Sequence, residues 1–157
     1  MPPIEYISGH IDNPGEALVM IHYPWVHHDG GRATSRRPKA KNDCTVRALA
    51  LALGLNYDEA YDLLAAQGRK AHRGMAGWRE FLEDHGVEGW RFVWHGFPAK
   101  KGHSRVNPPE FCDTFREGVW IVQTAKHVNT VIDGLWYDSF ATQPFRCIYG
   151  AWVVIRA

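Results

Sequence analysis

Hydrophobic positions fall into two regimes along the chain. Residues 44–53 carry Val, Leu and Ala on nearly every side, with Arg47 the main polar exception. A helix that is apolar all round is a buried one, and Gly54 ends it. Asn56-Tyr57-Asp58-Glu59 then puts an acid three residues after a capping residue, a capping box. The helix it starts runs to about Gln67, with Tyr57, Ala60, Tyr61 and Leu64 as its inner face. Residues 78–85 form a short amphipathic helix closed by Gly86, and 109–115 a helical turn. Elsewhere the pattern is β-like: strands are expected at 17–23, 90–94, 119–124, 128–132, 135–138 and 148–155. Residues 25–41 contain Gly30-Gly31, Ser35 and Pro38 without periodicity and read as a loop. Helices early and antiparallel strands late argue an α+β fold, a buried N-terminal helix packed on a C-terminal antiparallel β-sheet. One domain over 1–157 is expected. It comprises an N-terminal strand and basic loop (1–40), a helical part (41–86) and a mainly β part (87–157).

Candidate chemistry sits at two places in that pattern. Asn42-Asp43-Cys44 puts a cysteine at the head of the buried helix, where Asp43 or Asn42 is placed to cap the first turn. The positive end of the helix dipole favours thiolate over thiol, and the thiolate is the nucleophile. Asp133-Gly134 between two β-runs is a two-residue hairpin signal. With those two as the turn, Ile132 pairs with Leu135, Val131 with Trp136, Thr130 with Tyr137 and Asn129 with Asp138. His127 and Asp138 then become diagonal neighbours on one face, roughly 5.5–8 Å apart. That is within reach of a carboxylate–imidazole hydrogen bond, with Trp136 and Val131 on the same face as shields. A one-residue slip would destroy the geometry. The trio has the logic of a thiol nucleophile (Cys44), a general base (His127) and an orienting acid (Asp138). The Cys44 backbone N–H is a natural oxyanion donor, with Asn42 and Gln123 as candidate side-chain donors. Arg47 and Trp136 are candidate substrate-binding residues, and Arg47 reads equally as an internal ion-pair partner.

Composition narrows the picture. The chain of 157 residues is long enough to bury a core, and its formal net charge is +1. That balance argues against nucleic acid, and no run of about 18 apolar residues argues for a membrane. Cys44, Cys112 and Cys147 cannot all pair. With no CxxC and no signal-peptide pattern at the N-terminus, reduced thiols in a cytoplasm are expected. Seven Trp and 13% aromatic residues read as large rings filling a small core.

In this order of parts the chain resembles the papain-like cysteine peptidase superfamily. The residues that carry the resemblance are Asn42-Asp43-Cys44 with Arg47-Ala48-Leu49-Ala50, then 119–124, His127 and Asp138. It is most similar to the compact versions, such as bacteriocin-processing peptidases and small phage-encoded relatives. The resemblance spans about residues 41–155 and implies nucleophile, base and orienting acid at Cys44, His127 and Asp138. It also implies a peptide or protein substrate and no cofactor. Two departures stand out. Residues 37–40 are Arg-Pro-Lys-Ala, with no Gln before the Cys, and Thr45 follows Cys44 where a glycine or small aromatic is usual.

The leading expectation is therefore a cysteine hydrolase: a peptidase, isopeptidase or amidase working through an acyl-thioester. The alternative is an inactive papain-like binding module, of phage type, that sequesters a protein partner. His22, His27, His28 and Asp29 raise a metal reading, but no HExxH or CxxC spacing supports it. Arg32, Arg36, Arg37, Lys39 and Lys41 form a basic run. It reads either as a solvated loop or as a cleft lining for acidic or phosphate-bearing partners, and with Trp25 it raises a nucleic-acid reading that the overall charge weakens.

Overall fold

Buried apolar faces place one six-stranded sheet between two cores. The computed structural model describes residues 23–157 and, upstream of these, the backbone of two short strands, β1 (Ser8–Gly9) and β2 (Val19–Met20), which pair antiparallel. Most of the strand expected at 17–23, and His22, lie outside the described residues. The sheet contains β3 (Trp25–His27), β4 (Trp90–Gly96), β5 (Val119–Thr124), β6 (His127–Ile132), β7 (Leu135–Asp138) and β8 (Gly150–Arg156). Their spatial order is β3-β7-β6-β5-β8-β4.

The helical elements follow the apolar periodicity. Helix α1 (Cys44–Leu53) buries seven of its ten residues, and Gly54 ends it in the left-handed conformation (φ 67°). Helix α2 (Tyr57–Ala66) opens with the expected capping box: Asn56 accepts from the Glu59 amide, and Glu59 accepts from the Asn56 amide. Helix α3 (Trp78–Glu80) continues as a π-type turn (Phe81–His85). Helix α4 (Pro108–Thr114) starts with proline, and Asn107 caps it. The core on the α1 side joins Val46, Leu49 and Leu53 to Ile121, Val128 and Trp152. The core on the other side joins Phe111 of α4 to Trp120, Val131 and Trp136. The Thr130 hydroxyl donates to the Ala48 carbonyl at 2.8 Å and ties α1 to β6.

The hairpin register is the one the sequence predicts. Asp133 (φ 49°) and Gly134 (φ 77°) make the turn, and Ile132, Val131 and Thr130 face Leu135, Trp136 and Tyr137. Three expectations change. The β6–β7 ladder stops at Thr130–Tyr137, so Asn129 and Asp138 are not a ladder pair. Residues 25–27, expected to be loop, form β3, which pairs parallel with β7 and sets His27 opposite Asp138. The sheet is therefore mixed rather than antiparallel. A three-residue edge strand after Pro24 is too short to show a period of two. The last strand begins at Gly150 rather than 148, because Ile148 instead bonds the Val106 carbonyl.

Candidate active site

The N-terminus of α1, the start of β6 and the end of β7 meet at one point. Cys44 is the first residue of α1 and is half-buried. His127 is the first residue of β6, and its Nε2 lies 2.5 Å from Asp138 Oδ2. That contact leaves Nδ1 as the ring nitrogen open to Cys44, whose thiol is lowered by its interaction with His127. The Asp138 carboxylate is buried, and Ser139 N donates to its Oδ1 at 2.8 Å. The structure thus brings together the three residues that the sequence singled out for nucleophile, base and orienting acid.

The electrostatics favour an ion pair. Burial opposes the Cys44 thiolate. The hydrogen bond to His127, the Val128 backbone amide, and the charges of His127 and Arg47 outweigh it and hold the thiol below its ordinary value. Burial likewise opposes the His127 cation. Hydrogen bonds to Asp138 and Cys44, and their charges, raise it from 6.5 to about 9. Both shifts move the pair in the direction of thiolate and imidazolium. Cys112, buried with no such partner, has its thiol pushed up to about 12.

Arg47 holds this arrangement from behind. Its Nη1 donates to Asp138 Oδ1 at 2.8 Å and to Ser139 Oγ at 2.9 Å, and its Nε donates to Asp43 Oδ1 at 3.1 Å. Its side chain is only 11% exposed. Arg47 is therefore the internal ion-pair partner, with its donors spent on carboxylates rather than offered to a substrate. Trp136 is also corrected as a substrate-binding candidate. It is fully buried, packed edge-on against Tyr23 in the core opposite α1.

The side chains expected to cap α1 and to bind an oxyanion are engaged elsewhere. Asp43 makes no capping bond. It is buried and accepts from Arg32, Arg47 and the Tyr57 hydroxyl, because two guanidiniums and a phenol are stronger partners than a backbone amide. The α1 first-turn amides, Cys44's included, thus lack a side-chain cap. Asn42 (φ 51°) donates from Nδ2 to the His72 carbonyl at 2.9 Å. Gln123 Nε2 donates to the Thr124 and His127 carbonyls at 2.6 and 3.0 Å. Gln123 thus has both amide hydrogens engaged and Asn42 one of its two, while the backbone amides at the start of α1 have no side-chain acceptor. The crevice on the inner side of Cys44, shared with Arg47, Asn129 and Asp138, measures about 10 Å³. That is the space of a single water, so a substrate must meet Cys44 from its open side.

The basic run turns inward. Arg32 pairs with Asp43, and Arg36 and Arg37 pair with Asp58 and Asp62 of α2. Three of its five cations are thereby taken up by carboxylates, which removes most of the charge available to an acidic partner. His27 and His28 find separate partners: His27 sits edge-on to Trp25, and His28 Nδ1 accepts from the Gly30 amide. Among the described residues no three His, Cys, Asp or Glu side chains converge as metal ligands. No helix there is long and apolar enough to cross a membrane. Sequence reasoning missed Phe140, whose ring lies 4.9 Å from that of His127 and is half exposed. Its place two residues past Asp138, on the same parity, was the available signal.

Compared with protein-family models, with curated proteins and with solved structures, the chain matches none of them.

Proposed function

We propose that this protein is a papain-like cysteine hydrolase that cleaves a peptide or isopeptide amide through an acyl-thioester. The observation that carries the reading is the convergence of Cys44, at a helix N-terminus, with His127 bonded to buried Asp138, the thiol held low and the imidazole held high. The Cys44 thiolate attacks the amide carbon, and the carbonyl π electrons move to oxygen. The uncapped amide of Cys44 stabilises that oxyanion. The tetrahedral intermediate collapses, the C–N bond breaks, and the proton on His127 Nδ1 goes to the departing amine. Neutral His127 then takes a proton from water, whose oxygen attacks the thioester. The C–S bond breaks, the acid leaves, and thiolate and imidazolium are restored. Asp138 keeps the ring oriented throughout. On this reading the protein works in a reducing cytoplasm, where Cys44, Cys112 and Cys147 remain free thiols.

The alternative, a binding module without turnover, is favoured by one observation. Asn42 and Gln123 are both engaged elsewhere, and one oxyanion donor is worth about 10²–10³ in rate. A fluorogenic peptide-amide library, with acid-quenched intact mass to catch the acyl-enzyme, decides between them. The hydrolase reading expects product release and an acyl adduct on the Cys44 peptide, both lost in Cys44→Ala. Turnover by Cys44→Ala would overturn the mechanism. A silent library with a reactive Cys44 would leave the binding module in its place.

A further inference from the structure

The sheet end that carries His127 continues into an apolar cup at the far edge. Gly96 pairs with Gly150, Gly150 with Gln123, and Gln123 with Val128, the residue after His127. That row leads from β6, beside His127, across β5 and β8 to β4. Three strand steps of about 4.8 Å make about 14 Å, the span of about four residues of extended peptide. At its end lies a cup of about 450 Å³ lined by Trp94, Gly96, Phe97, Pro98, Arg105 and Tyr149.

The cup is built, not incidental. A Cβ at Gly150 would meet the Trp94 ring at 2.4 Å and the His95 carbonyl at 2.6 Å, so the indole lies on bare backbone there. Trp152 holds it on the other side, with ring centroids 4.6 Å apart. Tyr149 is exposed, and the Arg105 guanidinium sits 4.9 Å from its ring centroid. Arg105 Nε is buried with no hydrogen-bond partner, and among the described residues no carboxylate pairs with this guanidinium. A larger groove of about 550 Å³ beside α2 differs, because its Asp58 and Asp62 are already taken by Arg36 and Arg37.

We propose that this cup is a substrate subsite for a bulky apolar residue adjoining a carboxylate, about four residues from the bond that Cys44 attacks. Aromatic walls stack on and desolvate a large side chain, and the lone guanidinium selects an acidic neighbour or a terminal carboxylate. The distance to the bond rests on the hydrolase reading; the binding preference does not.

The test uses Cys44→Ala protein, so that nothing is consumed. The probes are fluorescein-labelled alanine octapeptides with Phe-Asp, Phe-Lys or Ala-Asp at either end, read by polarisation. Phe-Asp peptides bind about tenfold or more tighter than the other two, as burial of an aromatic ring and one charge-assisted bond provide. In that background Tyr149→Ala weakens the preference for Phe over Ala, and Arg105→Ala removes the preference for Asp over Lys. Equal binding of the three peptides, or preferences that survive both substitutions, overturns the proposal. So does an octathymidylate that binds more tightly with the same dependence on Tyr149 and Arg105, which makes the cup a nucleic-acid surface. If Cys44 proves unreactive while the peptide preference holds, the hydrolase reading falls and the subsite belongs to a binding module.

Discussion

Asp138 takes contacts from both sides, His127 on one carboxylate oxygen and Arg47 on the other. Removing Arg47 leaves Asp138 and Asp43 buried without that cation. Arg47→Ala is therefore expected to cost about 3–5 kcal/mol, read as a shift in urea midpoint. Arg47→Lys keeps the charge but cannot bridge two carboxylates, so it should retain more stability than Ala while slowing turnover. Asp138→Asn should keep the fold and lower kcat by about 10²-fold or more, through loss of the imidazolium's partner. Wild-type kcat in Asp138→Asn would remove Asp138 from the mechanism. The meeting of Cys44, His127 and Asp138 was legible because helix start and hairpin register follow from local pattern. Asn42 was misread because the His72 carbonyl that takes its amide is brought near only by the fold, and Gln123 because its amide folds back on the carbonyls of Thr124 and His127 in the adjoining turn.

Elements transmit these placements. The Gly30 turn packs on α1 so closely that a Cβ there would come within 2.7 Å of Arg47 Cα, at a φ of 71°. Gly30→Ala must push the turn off α1 and loosen Arg47 from Asp138. We expect slower Cys44 alkylation at neutral pH in Gly30→Ala, whereas Gly74→Ala, with open space around it, leaves the rate unchanged. Equal rates in the two would show that the turn does not hold the site. The buried helix, the capping box and the Asp133-Gly134 hairpin were readable because each has a sequence signal within one or two turns. Strand β3 was not, since its three residues owe their conformation to β7, more than a hundred positions away.

At the scale of the molecule, two opposed proton linkages run through the site. His127 is raised in the folded state, so its stabilisation is full below 6.5 and is lost as pH rises through about 9. Cys44 is lowered, so its stabilisation is present above the ordinary thiol value and is lost as pH falls through its folded value. Thiolate with imidazolium binds as many protons as thiol with imidazole, so the pair should leave wild-type stability nearly flat around neutrality. In Cys44→Ala only His127, raised by Asp138, remains, and melting temperature should fall as pH rises above 6.5. A rise would reverse the assignment. Sheet order and the parallel edge pair come from long-range closure, as does the cup that joins residues 94–98 to Arg105 and Tyr149, and none of these has a local signal. The ion pair is measured most simply by the iodoacetamide alkylation rate of each cysteine against pH, by peptide mapping, in wild type and His127→Ala. Cys44 is expected to react fast below pH 7, where an ordinary thiol of pKa about 8.5 is mostly protonated, and His127→Ala to abolish this. A Cys44 no faster than exposed Cys147, or equally fast without His127, would contradict it.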